Sequence, residues 1–130
     1  MNQTLAQITL VVDDYDKAIE YYTHVLGFIL EEDKIMSNSK RWVVVKPSGI
    51  NSCKIVLAKA ANEEQFSRVG NQTGGRIFLF LYTDDCKRDF ENYQSKGVEF
   101  IRLLADEQYG LVAVFKDLYG NLWDLIQPKP

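Results

Sequence analysis

The feature that most constrains this chain is a repeat. Asp13 and Asp84, Tyr15 and Cys86, Ile19 and Phe90, Tyr22 and Tyr93, and Gly49 and Gly120 share one offset of 71 residues (84 − 13), so one pattern is written twice. In the first copy LAQITLVV (5–12) is rich in β-formers and stops at Asp13 and Asp14, both suited to cap a helix. Within DYDKAIEYYTHVLG, the residues Tyr15, Ala18, Ile19, Tyr22, Val25 and Leu26 recur at helical spacing, and Gly27 supplies a left-handed stop. Three strand-like runs follow, FILEEDKIM, RWVVVKP and CKIVLAKA, the last two parted by the turn residues Ser48, Gly49 and Asn51. The second copy keeps that order. RIFLFLYT is a strand, Asp84 or Asp85 caps a helix with Cys86, Phe90 and Tyr93 inside, Gly97 ends it, and VEFIRLL, LVAVFKD and NLWDLIQ are strands.

Two tandem βαβββ modules, 1–60 and 76–130, are therefore expected within one α+β domain spanning 1–130. The polar, glycine-rich stretch 61–75 reads as the linker, with a short helical turn from Glu63 to Arg68. One such module makes a sheet covered by a helix on one face and bare on the other, with too little core to stand alone. Duplication completes it. The expected architecture is a curved, cup-like mixed β-sheet with its helices outside, and the cup is where a small molecule would bind.

Charge narrows the partners. Fifteen basic and 18 acidic residues leave a formal charge of −3 with no Lys/Arg block, which argues against nucleic acid. The N-terminus carries acids where a secretory leader needs a basic start, and no apolar run is long enough to span a membrane. A cytoplasmic protein is expected. Cys53 and Cys86 lack CxxC or histidine-rich company and read as small core hydrophobes in a reducing compartment.

QITLVVDDYDKAIEYYTHVLGF and FKDLYGNLWDLIQ resemble the opening and closing signatures of the vicinal oxygen chelate superfamily, which includes glyoxalases, bleomycin-resistance proteins and extradiol dioxygenases. The likeness covers nearly the whole chain, and it implies a glyoxalase-like fold and, because members often pair, a homodimer. Metal-dependent members draw four ligands from the first and fourth strand of each module. Those positions fall here on Gln7, Val56, Phe78 and Asp124. A first-row metal centre needs about three His, Cys, Asp or Glu ligands, and two of these four residues are hydrocarbon. The resemblance therefore implies no cofactor, with a divalent metal as the lesser alternative.

Strand alternation sets Gln7, Thr9 and Val11 on one face, Phe78, Phe80 and Tyr82 on the equivalent face, and Leu122, Asp124 and Ile126 with them. Asp124 has two readings, an acid/base or ligand-amine partner if half dry, or a hydrogen-bonded structural carboxylate. Arg41, Trp42, Arg76 and Tyr109 are candidate rim residues suited to a planar or anionic ligand. Trp123, next to Asp124, is expected to point the other way into the core, and the sole histidine, His24, lies off the inward helical stripe.

Three functions fit this pattern. The first is a metal-free small-molecule binder similar to the bleomycin-resistance members. The second is a lyase or dioxygenase with a rebuilt metal site, or a metal-free acid/base enzyme working through Asp124. The third is an interaction module whose cleft is filled by bulky side chains such as Phe78 and Phe80.

Overall fold

Asp14, not Asp13, starts the first helix: its carboxylate accepts from the Lys17 N–H at 2.9 Å, and Asp85 does the same for Arg88 N–H at 3.0 Å in the second copy. The computed structural model describes residues 1–130 and divides them into two units, Met1–Val69 and Gly70–Pro130. The first unit runs β1 (Gln7–Val12), α1 (Tyr15–Glu20), β2 (Ile29–Ile35), β3 (Arg41–Lys46), β4 (Lys54–Lys59) and α2 (Glu63–Arg68). The second runs β5 (Ile77–Tyr82), α3 (Cys86–Ser95), β6 (Phe100–Glu107), β7 (Gly110–Lys116) and β8 (Leu122–Pro128).

The two helices end differently. Where α3 is regular throughout, α1 passes into a π-helical turn over Tyr21–Val25, with Leu26 N–H donating to Tyr21 O at 3.1 Å. Periodicity near 3.6 does not distinguish such a turn from regular helix. Gly27 and Gly97 then close both segments with φ of 77° and 85°, a region that favours glycine.

Each unit folds its strands into one four-stranded mixed sheet, ordered β1-β4-β3-β2 in the first and β5-β8-β7-β6 in the second. The outer pairs β1–β4 and β5–β8 are parallel, and the remaining pairs are antiparallel. This is an α+β fold. In the first unit Leu10, Val12, Val43, Val45, Ile55 and Leu57 are buried on the helix side with Ala18 and Tyr22. In the second, Phe115 stacks on Trp123 at 5.8 Å and meets Tyr93 of α3 edge-on at 5.4 Å.

Trp123 occupies the core as its neighbour's alternation requires, and its indole N–H donates to Asp117 at 3.1 Å. Asp117 is itself buried. It also accepts from Tyr119 N–H and Asn121 N–H, each at 3.0 Å, and from the Asn121 amide at 3.1 Å. The Asp-x-x-Gly-Asn turn thus ties the β7–β8 connection to the core by satisfying donors that burial would otherwise leave unpaired. No helix is long and apolar enough to cross a membrane.

Candidate functional site

The faces away from the helices carry the site candidates. Across the first sheet one row of partners reads Thr9, Val56, Val44 and Glu32, and across the second the corresponding row reads Phe80, Asp124, Val114 and Arg102. The offset is 71 at β1 and β5 (80 − 9), 70 at β3 and β7 (114 − 44) and 68 at β4 and β8 (124 − 56), the last step arising because the β3–β4 connection is longer than the β7–β8 one. These rows place Val56 and Asp124 at one structural position. Hydrocarbon stands in one copy and a carboxylate in the other.

The ladder between the two central strands also differs between copies. β7 and β8 pair over seven residues, from Gly110↔Pro128 to Lys116↔Leu122, whereas β3 and β4 pair only from Val43↔Leu57 to Val45↔Ile55. Beyond Val43 the strand β3 stays with β2 through Trp42↔Lys34 and Arg41↔Ile35, while β4 stays with β1 through Val11↔Ala58 and Val12↔Lys59. The sheet forks. In the fork lies a cavity of about 440 Å³ lined by Thr9, Trp42, Val56, Ala58, Lys40, Lys59 and Gln65, among others. Its size is that of an ordinary small-molecule site.

Trp42 forms the aromatic wall of that cavity, and its orientation is fixed: the indole N–H donates to Glu32 Oε2 at 3.1 Å. Glu32 is half-buried, and the Trp42 bond followed by Lys34 at 3.3 Å holds its carboxyl below the usual range. Thr9 lies on the same open face, and so does Gln7, exposed opposite Lys54. Gln65 comes from α2, inside the stretch read as linker; its side-chain oxygen accepts from Ala61 N–H at 2.7 Å, which leaves its NH₂ to donate.

Arg41 is turned to the helix side, contrary to a free place on the rim. It binds Asp33 in a two-pronged contact (3.1 and 2.7 Å), reaches Asp16 at 2.8 Å and lies 5.2 Å over the Tyr15 ring. Both carboxylates raise its already high pKa, Asp33 first. Alternation explains this, since Arg41 and Trp42 are neighbours in one strand and face opposite ways. The Tyr15 hydroxyl accepts the Arg41 N–H at 3.2 Å, covering a backbone donor exposed by the fork.

In the second unit Phe80 and Tyr82 stand on the open face, 62% and 68% exposed. Phe78 departs from them. A register shift between Ile77 and Leu79 breaks the alternation, and the Phe78 ring meets Trp123 edge-on at 6.3 Å. Asp124 is half-buried between Phe80 and Val114 with no hydrogen bond from its own unit. Burial pushes its carboxyl pKa up, and Arg102, at the far end of the row and ion-paired with Glu107, pulls it partly back. Arg76 is exposed just before β5, and Tyr109 is exposed in the β6–β7 turn, so neither joins the Phe80 row. His24 is exposed against Glu20 at 3.0 Å.

A metal fits these residues poorly. Gln7 and Val56 give the first unit one neutral amide oxygen, Phe78 and Asp124 give the second one carboxylate, and no three His, Cys, Asp or Glu side chains gather. Sequence reasoning missed Lys40, Lys59 and Gln65 as cavity residues. Nothing in their local pattern distinguishes them from ordinary surface residues, since only the fork and the α2 helix bring them together.

Comparison with known proteins places these observations. The model of the glyoxalase/bleomycin resistance protein/dioxygenase superfamily matches residues 4–125. An uncharacterised protein of Shewanella frigidimarina is 52% identical over 128 residues, covering 98% of this chain and 95% of its own. Among solved structures, UcmS2 superposes with a TM-score of 0.83 at 27% identity, covering 97% of this chain and 98% of its own. TnmS3, an antibiotic-binding protein from Streptomyces sp. CB03234, superposes at 0.73 with 27% identity, covering 99% of each chain.

Proposed function

The chain belongs to the glyoxalase/bleomycin resistance protein/dioxygenase superfamily, and on that premise we propose that it binds a small organic molecule at the β3–β4 fork without a metal. One observation carries this reading: the ladder that is continuous in the second unit is interrupted in the first, and the gap is a cavity walled by Trp42 and floored by Val56 and Ala58. Val56 contributes only contact area where metal-dependent members of the superfamily place a ligand. A planar ring stacked on an indole of fixed orientation gains affinity at little entropic cost. The antibiotic-binding neighbour makes a natural product of that kind a reasonable ligand class. A reducing cytoplasm suits the two free cysteines.

The test is a thermal-shift screen of the full chain against planar metabolites and antibiotics, with hits measured by calorimetry and repeated on Trp42→Ala. Saturable binding lost in that variant supports the fork. Hits that bind Trp42→Ala equally well rule it out. Elemental analysis of protein purified without added metal, with a chelator control, tests the metal-free part, and stoichiometric metal would overturn it.

A second reading rests on Asp124. A half-buried carboxylate with no hydrogen bond and a raised pKa is suited to proton transfer, so turnover of a bound compound that disappears in Asp124→Asn would favour an enzyme over a pure binder.

A further inference from the structure

The charges around the fork differ in how far they are already committed. Its cavity is lined by Lys40, Arg41 and Lys59 and by no Asp or Glu. The nearby acids are engaged elsewhere: Asp33 and Asp16 hold Arg41, Glu32 holds the Trp42 indole and Lys34, and Asp14 caps α1. Arg41 is more than offset by its two carboxylates, one cation against two anions. Lys40 and Lys59 are exposed and form no ion pair. The lining of this cavity itself therefore carries positive charge only, on a chain whose formal charge is −3, while Asp14 and Asp16 share an adjoining cavity with the same two lysines.

The uncharged groups point the same way. The side-chain oxygen of Gln65 is held by the Ala61 N–H, which fixes the amide and leaves its NH₂ group unengaged as a donor. The indole N–H of Trp42 is occupied by Glu32, so the ring offers its face but not its donor. Two ammonium groups, one amide donor and an aromatic wall make a site that rewards acceptors at one end of a flat molecule and penalises a second cation.

We propose that the fork selects planar aromatic anions, of the aryl carboxylate or phenolate class, with the ring against Trp42 on the open face and the charged end passing into the fork toward Lys40 and toward Lys59, which shares the helix-side face with Val12. This rests on the small-molecule reading above and names the ligand class of that same cavity. Net charge alone would suggest the opposite preference, since an acidic protein favours cations at long range. Local geometry wins because an ion at the mouth lies within reach of the two lysines, while charges further than about 8 Å are screened at physiological salt.

The experiment compares 2-naphthoate with 2-(aminomethyl)naphthalene, two probes of one ring system and opposite charge, by calorimetry on the full chain. Expected is saturable binding of 2-naphthoate at least severalfold tighter than the amine. That binding should be lost in Trp42→Ala and fall about tenfold in Lys40→Gln/Lys59→Gln, with the preference abolished. The double variant Lys87→Gln/Lys96→Gln, in α3 and at its C-terminal cap, removes the same charge elsewhere and should leave binding unchanged. Equal or tighter binding of the amine, no effect of Lys40→Gln/Lys59→Gln, an equal effect of the α3 variant, or no binding of 2-naphthoate would each overturn the inference. The small-molecule reading fails separately, only if no compound of any charge in the wider screen depends on Trp42.

Discussion

Asp124 lies directly opposite Phe80 across the parallel pair β5–β8, where the first unit sets Val56 opposite Thr9. One structural position thus carries a carboxylate in one copy and an isopropyl group in the other. The carboxylate gains no hydrogen bond from its unit in return for its partial burial, and its pKa rises.

That shift has a sign in stability. Because burial favours the protonated carboxyl, the folded chain binds more protons than the unfolded chain between the ordinary aspartate value and the raised one. The contribution of Asp124 is therefore fully present below the ordinary value and is lost as pH rises through the raised value. Asp124→Asn should match the native chain in urea unfolding near pH 3 and gain a small advantage that grows as pH rises through the raised value and is constant above it. An advantage largest at low pH would contradict the assignment.

Asp117 should behave in the opposite way on removal. Asp117→Ala leaves the Asn121 and Trp123 donors buried without an acceptor, a loss of roughly 2–4 kcal/mol. Denaturant curves followed by circular dichroism measure it, and a loss below about 1 kcal/mol would show that water replaces the carboxylate.

Arg41 is expected to be structural. Arg41→Ala breaks the Asp33 and Asp16 contacts and uncovers the Tyr15 ring, which should destabilise the chain by about 1–2 kcal/mol. Arg41→Lys should restore little, because an ammonium cannot reproduce the two-pronged contact with Asp33. Ligand affinity at the fork, measured on folded protein, should change less than in Lys40→Gln/Lys59→Gln.

Trp42 should separate binding from stability. Since the indole lies at an open cavity with one bond to Glu32, Trp42→Ala is expected to weaken any fork ligand by more than about tenfold. The melting temperature should fall by only a few degrees, as about 1 kcal/mol does in a chain of this size. Collapse of the fold instead would mark Trp42 as core.

The order of elements, the duplication, the helix caps and the opposition of Trp123 to Asp124 were legible in the residues themselves, because capping, alternation and helical spacing are consequences of local backbone geometry. The same rules placed Thr9, Phe80, Tyr82 and Asp124 on the open faces. They did not foresee that Phe78 would turn to Trp123, since a register shift depends on how two strands meet and not on either alone. Nor did they assign Arg41 to the helix side, where Asp33 and Asp16 come from other elements.

Sequence by itself determined what this chain repeats and which side chains share a strand face. Tertiary structure decided where the β3–β4 ladder stops, and with it the cavity that gathers Lys40, Lys59 and Gln65 around Trp42. The reason is that a strand's length of pairing is set by competition among its neighbours: β3 follows β2 and β4 follows β1, and no property of either segment in isolation records that divergence.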